Sequence, residues 1–108
     1  MRIDPSEWTV YLAELSRHAQ GYDTAIEVLS DELGDQTEVR RAQLSELAFD
    51  PREGIAVAVG DATGRELLRH VIAAPRSLEV TDEPGVPAAL MIEDGTRTRT
   101  LVRLSAPR

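Results

Sequence analysis

Apolar residues near the start of the chain recur with the spacing of an α-helix. Asp4, Pro5 and Glu7 combine an N-cap, a proline at the first helical position and an acid in the first turn. We predict a helix over residues 4–20, ended by the left-handed conformation that Gly21 allows. One stripe of this helix should face a core: Trp8, Tyr11, Leu12, Leu15 and Ala19.

Beyond Gly21 the hydrophobic pattern changes to a period of two, which is typical of half-buried strands. We predict about seven strands between residues 22 and 105. The second of them, around residues 36–44, is polar and should lie near a sheet edge or have one wet face. Residues 55–59 place branched side chains on one face and alanines on the other. The segments predicted as loops or turns are 30–35, 48–54, 60–64, 82–87 and 93–98.

Connections this short favour antiparallel neighbours, because a parallel pair needs a crossover of about a dozen residues or more. Only one helix is available to cover the apolar face of the sheet. We therefore predict an α+β fold, in which the N-terminal helix packs on a curved antiparallel sheet of about six to seven strands or on a partly open barrel. Residues 1–108 have the length of a single domain.

Composition excludes several kinds of chemistry. The chain has no cysteine, and its twelve basic residues are all arginines. Thiolate zinc sites, cysteine nucleophiles, Schiff-base lysines and phosphate-binding P-loops are therefore ruled out. The net charge of −7 argues against binding nucleic acid. No apolar run is long enough for a membrane span and no signal peptide is evident, so we expect a cytoplasmic protein that does not bind membranes.

The layout of the chain resembles a small uncharacterised bacterial family defined only as a domain of unknown function. The resembling pieces are W..YL.ELSR...G at residues 8–21, IEVLSDELG at 26–34, RHVIAAPRSLEV at 69–80 and ALMIEDGTRTRTLVRL at 89–104. This resemblance implies a bacterial protein of one domain. It supplies no activity, ligand or catalytic residue.

His70 is the stronger functional candidate of the two histidines, since Arg69 precedes it and Arg76 follows shortly after. An imidazole in that setting could donate a proton or contact an anion. A histidine between aliphatic residues is more often a half-buried strand residue, and we favour that interpretation. His18, in the last turn of the helix, is interpreted as structural. The spacing of the histidines matches no metal motif, so we predict no metal and no cofactor.

The last strand carries a group of arginines. By the period of two, Arg97, Arg99 and Arg103 should project from one face. Such a stripe could hold a carboxylate or phosphate group. The alternative is a solvated face whose arginines pair with acids on neighbouring strands, which we favour in a chain this acidic.

Two functional hypotheses follow for a chain whose sequence assigns no activity. In the first, the chain is a non-enzymatic interaction domain that binds another protein, or a second copy of itself, through an exposed sheet edge. In the second, it is a small-molecule-binding barrel or a small enzyme that uses His70 with Arg69 or Arg76. We favour the first because the sequence contains no catalytic signature.

Overall fold

The computed structural model describes residues 1–30, 34–83 and 86–107. These residues form a 3₁₀ helix at Pro5–Glu7, one α-helix and eight strands. The α-helix is α1 (Trp8–His18), and the strands are β1 (Arg2–Ile3), β2 (Asp23–Ser30), β3 (Gly34–Asp50), β4 (Gly54–Gly60), β5 (Glu66–Ile72), β6 (Pro75–Glu83), β7 (Val86–Asp94) and β8 (Arg99–Ser105). The predicted α+β class is confirmed, with one strand more than expected.

The strands form a single antiparallel sheet in the order β1-β6-β7-β8-β2-β3-β4-β5. The sheet is open, so β1 and β5 are its terminal strands. β3 connects the part of the sheet that ends at β2 with the part formed by β4 and β5. Its residues 34–43 pair with β2, and its residues 43–50 pair with β4. A strand that changes partners in this way forms a corner between two sheet directions.

The sheet is strongly curved. A flat sheet of eight strands would be about 34 Å wide and only about 10 Å thick, whereas the molecule measures 34 × 31 × 29 Å. Only Ala73 and Ala74 separate β5 from β6, although these strands stand far apart in the sheet order. Two residues span about 10 Å at most. The sheet therefore curls until its two ends approach each other, and Ala74 turns the corner with a φ of +48°.

The predicted stripe of α1 packs on the inner face of this curved sheet. Trp8, Leu12 and Ala19 are buried, and Tyr11 and Leu15 pack at the margin of the core. The same core takes alternate residues of the strands: Ile26, Leu44, Leu47, Ile55, Val57, Val59, Ile72, Leu78, Val80, Leu90, Ile92, Val102 and Leu104. We call the opposite side of the sheet the outer face.

The beginning of the predicted helix is wrong in one respect. Asp4 does cap a helical turn, since its Oδ1 accepts the Ser6 N–H at 2.9 Å, but that turn is 3₁₀ and the α-helix begins only at Trp8. Residues 2–3 form β1 instead, paired with β6. The Trp8 indole N–H donates to the Ile3 carbonyl at 2.9 Å, so the helix start and β1 stabilise each other.

Two predicted loops are largely strand. Residues 48–50 belong to β3, because β3 and β4 stay paired up to a turn of residues 51–53. The Asp50 carboxylate closes that turn by accepting the Arg52 N–H at 2.7 Å. Similarly, Asp82 and Glu83 end β6, while Val86 and Pro87 begin β7. Residues 31–33 and 84–85, at the centres of two predicted turns, lie outside the described residues.

Candidate functional site

The structure separates the residues of the second hypothesis. His70 points to the inner face of β5 and is half-buried opposite Val57, whereas Arg69 is exposed on the outer face. Arg76 is exposed on β6. Among the described residues, no hydrogen bond or ion pair joins His70 to either arginine. His70 and Arg69 thus lie on opposite faces of β5, and no described contact joins His70 to Arg76.

Arg69 makes an ion pair that crosses β4. Its Nη2 lies 2.7 Å from Glu46 Oε1 on β3 and 3.4 Å from Glu66 Oε1 on β5. Glu46 and Arg69 are both register partners of Ala58 on the intervening strand. Their backbones are thus about 10 Å apart, and the two long side chains meet over a small methyl group. The hydrogen bond with Glu46 raises the pKa of the Arg69 guanidinium.

The arginines of the last strand are only partly aligned. Arg99 and Arg103 lie on the outer face of β8, with Leu101 between them. Arg97 lies in the turn before β8 and has a φ of +67°, so the prediction that it shares their face is wrong. The turn geometry set by Asp94, whose Oδ1 accepts the Thr96 and Thr98 N–H groups, removes Arg97 from the alternation of the strand.

Arg99 and Arg103 line an open depression of about 480 Å³ on the outer face of β6, β7 and β8. Its remaining lining is Ser77, Glu79, Thr81, Ala89, Met91, Glu93 and Leu101. The register places Arg99 directly opposite Glu93. Two carboxylates among two guanidinium groups largely cancel the field that would attract an anion, so this depression is the weaker candidate.

The histidines do not converge. His18 lies in the last turn of α1, as predicted, but its exposed side chain makes no hydrogen bond or ion pair with any described residue, so the predicted structural role is not observed. Within the described part of the chain, no three histidine, aspartate or glutamate side chains are close enough together to hold a metal ion. No helix in that part is both long and apolar enough to cross a membrane.

The free edge of β5 is the strongest candidate for a functional site. β5 ends the sheet, and β4 is the only strand among the described residues that pairs with it. Leu67 is 60% exposed and Val71 is 39% exposed, and they stand on either side of Arg69. Half of the four large hydrophobic residues that are exposed in the described structure thus lie on one edge strand. Unpaired backbone groups beside apolar side chains form a template for another strand.

The polar second strand only partly meets its prediction. β3 lies inside the sheet order, but residues 34–42 pair with β2 alone, so this half has one side without a strand among those described. Sequence reasoning did not identify β5 as the terminal strand. Its segment ELLRHVI has apolar residues on both faces, which is typical of an interior strand. Only the sheet order shows that β5 is terminal and that Leu67 and Val71 lie on an edge strand.

Comparison with known proteins places the chain in a family without an assigned activity. A family model described as "Family of unknown function (DUF5335)" matches residues 1–108. An uncharacterised protein of Aquifex aeolicus (strain VF5) is 28% identical over 102 residues, which cover 94% of this chain and 88% of that protein. No solved structure matches the chain significantly. The chain therefore belongs to the family of unknown function DUF5335, as its resemblance to a bacterial family of this kind predicted.

Proposed function

We propose that this chain is a protein-interaction domain, and that it binds a strand of a partner protein along the free edge of β5. The observation that carries the proposal is the exposure of Leu67 and Val71 on a terminal strand that pairs on one side only within the described part of the chain. A partner strand would complete the backbone hydrogen bonds of β5 and cover both side chains. We expect this binding to take place in the cytoplasm.

The energy of such binding would come from two sources. The added strand supplies main-chain hydrogen bonds, and pockets or patches for alternate side chains supply specificity. Leu67 and Val71 lie four residues apart on β5, and both are exposed, although Leu67 is the extra residue of a bulge in the pairing with β4. A partner strand that follows β5 would pass both side chains. Complete burial of a leucine or valine side chain contributes about 1.5–3 kcal/mol, and these two are already partly covered. The apolar contribution is therefore a few kcal/mol.

A charged residue in the middle of an edge strand often prevents unwanted pairing. Arg69 occupies that position, but Glu46 and Glu66 hold its guanidinium on the outer face. The charge is thus compensated within the sheet. A partner strand would meet a guanidinium already paired with two carboxylates, between two apolar side chains, which weakens the protective effect of the arginine.

Site-directed photo-crosslinking in bacterial cells tests the proposal. The full chain is produced with p-benzoylphenylalanine in place of Leu67, and in a control with the same residue in place of Val10, which is 62% exposed on α1. We expect a covalent adduct from position 67 and none from position 10. Val71→Lys in the same chain should abolish the adduct. Equal adducts at both positions, or none at position 67, would overturn the proposal.

A further inference from the structure

We propose that the open depression on the outer face of β6, β7 and β8 binds a zwitterionic peptide of two or three residues with an apolar side chain. The ammonium group of the peptide would lie beside Glu79, and its carboxylate would lie beside Arg99. β2, β3 and β4 separate β8 from β5 in the sheet. The depression and the proposed function at the free edge of β5 are therefore independent of each other.

The residues that line this depression form three rows across the three strands. β6 and β7 pair without a shift from Ser77 to Thr81, and β7 and β8 pair without one from Ala88 to Glu93. Because side chains alternate between the two faces of a sheet, the lining residues all project to the outer face. The rows are Ser77, Glu93 and Arg99; Glu79, Met91 and Leu101; and Thr81, Ala89 and Arg103.

The floor of the depression is apolar. Met91 and Leu101 are half-buried at its centre, and Ala89 is only 3% exposed although it lies on the outer face. The longer side chains around Ala89 therefore stand above it and give the depression its depth. The volume of about 480 Å³ lies within the range of about 300–1,000 Å³ that is typical of small-molecule sites.

Opposite charges lie on the two sides of this floor. Glu79 on β6 and Arg99 on β8 are both exposed, and neither makes a hydrogen bond or an ion pair with any described residue. They are two strands and one row apart, so about 12 Å separates their Cα atoms, and Met91 lies between them. One ligand over Met91 can thus meet a carboxylate at one end and a guanidinium at the other.

Neighbouring charges leave the depression without a strong field of either sign. Glu93 is the register partner of Arg99, and Arg2 on β1 is the register partner of Glu79. Arg103 adds a positive charge on the β8 side. A ligand with a single charge would therefore meet both attraction and repulsion. A ligand with one positive and one negative group can place each group beside its opposite.

The separation of Glu79 and Arg99 determines the length of the ligand. An extended peptide spans at most about 3.3–3.6 Å per residue, so two residues span about 7 Å and three residues about 10 Å. The two charged side chains can lean over the floor and close the remaining distance. A single amino acid carries both charges within one residue and is too short to reach both sides. An apolar side chain of the peptide would cover Met91 and Leu101, and burial of this surface favours binding.

Amide chemical shifts of the isotopically labelled full chain test the site, with the dipeptide alanyl-leucine as the probe. The depression is open to solvent, where ion pairs contribute little, so we expect a dissociation constant of about 1 mM. The shifts should centre on Met91 and Leu101. Absence of shifts at these residues with up to about 20 mM of the dipeptide would overturn the proposal.

Two blocked forms of the same dipeptide are the matched control ligands. N-acetyl-alanyl-leucine lacks the ammonium group, and alanyl-leucine amide lacks the carboxylate. Each should bind at least about threefold more weakly than the free dipeptide. Equal binding of the acetylated form would identify a site for anions, and equal binding of the amide would identify a site for cations. Either result would overturn the zwitterion as ligand.

Glu79→Gln and Arg99→Gln test whether these side chains hold the two ends of the dipeptide. Both residues are exposed, so both variants should fold, and each should weaken binding about threefold to fivefold. Glu79→Gln should not weaken binding of the acetylated form, and Arg99→Gln should not weaken binding of the amide. Arg52→Gln and Glu53→Gln, in the exposed turn between β3 and β4, should leave binding unchanged. Equal losses in all four variants, or no loss in the first two, would overturn the assignment.

Leu67→Lys separates this site from the proposed function. The variant alters the free edge of β5 and should bind alanyl-leucine as the wild type does. A crosslinked adduct at position 67 without dipeptide binding would overturn the peptide site and retain the interaction domain. Dipeptide binding without the adduct would do the reverse.

Discussion

The Oγ of Ser16 on α1 accepts a hydrogen bond of 3.0 Å from the backbone N–H of Leu47 on β3. This contact lies next to a bulge, since the pairing of β3 with β4 shifts between Leu44 and Glu46. In the same region the Gln20 side chain donates to the Ser45 carbonyl at 2.7 Å. The end of the helix thus supplies partners for backbone groups at the point where β3 changes from β2 to β4.

Ser16→Ala should destabilise the fold. Ser16 is only 8% exposed, so its replacement leaves the buried N–H of Leu47 without an acceptor. We expect a loss of about 1–2 kcal/mol in the free energy of unfolding, after allowing for the better helix propensity of alanine. Urea denaturation measures it. Thr9→Ala, on the exposed side of the same helix, is the control and should cost no stability; an equal loss in both variants would contradict the role of Ser16.

Gly54 is required by the close approach of β5. Its φ is +116°, and a Cβ at this position would lie 2.0 Å from the Ile72 carbonyl oxygen. Gly54→Ala should therefore cost at least about 3 kcal/mol in the free energy of unfolding, or prevent folding. Gly64→Ala separates the two causes, because Gly64 has a φ of +86° and nothing within 4 Å. It should cost only about 1–2 kcal/mol. Equal costs would show that the clash is absent.

Trp8 holds β1 against the core. Its indole donates to the Ile3 carbonyl at 2.9 Å, and its ring meets Phe49 edge-on, with centroids 5.2 Å apart and an interplanar angle of 89°. Trp8→Phe removes the hydrogen bond from a buried carbonyl and should cost about 1–3 kcal/mol. Circular dichroism during urea unfolding measures this loss. Tryptophan fluorescence cannot, because Trp8 is the only tryptophan and the variant lacks it.

The same variant should loosen β1 selectively. The Val80 N–H donates to the Met1 carbonyl at 2.7 Å, and hydrogen exchange of this amide reports the pairing of β1 with β6. We expect exchange at least about tenfold faster in Trp8→Phe. Phe49→Leu retains the indole hydrogen bond and should leave the Val80 amide protected. Faster exchange of similar size in both variants would assign the effect to general loss of core packing.

The sequence correctly predicted the elements whose own residues show a regular hydrophobic period. The stripe of α1 follows from helical spacing, and residues 55–59 alternate as predicted because branched side chains face the core while Ala56 and Ala58 face outward. β1 was not predicted because a strand of two residues is too short to show an alternation of apolar and polar side chains. The strand part of residues 48–54 was missed because Pro51 resembles the start of a loop, whereas the pairing of Phe49 with Ile55 extends the strands to the turn.

The candidate site could not be predicted because it depends on long-range pairing. Residues 66–72 are apolar enough on both faces to suggest an interior strand, and only the sheet order makes β5 terminal. The meeting of Arg69 with Glu46 likewise depends on both being register partners of Ala58. The separation of His70 from Arg69, in contrast, follows from simple alternation along one strand.

Turn aspartates should make stability depend on pH. In the turn between β4 and β5, Asp61 Oδ1 accepts the Thr63 N–H at 2.9 Å, the Thr63 hydroxyl at 2.6 Å and the Arg65 N–H at 3.1 Å. The side-chain hydrogen bond from Thr63 is the largest cause that lowers the pKa of Asp61 below its usual 3.8. The pKa of Asp4 is lowered in the same way by Ser6.

A carboxyl group whose pKa is lower in the folded state than in the unfolded chain stabilises the fold above the unfolded pKa, and this stabilisation is lost as the pH falls through the folded pKa. Asp61→Asn tests the sign, because the amide oxygen still accepts hydrogen bonds but does not titrate. We expect the wild type to be more stable than Asp61→Asn at pH 7, and the difference to shrink between about pH 5 and pH 2. Urea denaturation across that range measures it, and a difference independent of pH would show that the charge on Asp61 does not contribute.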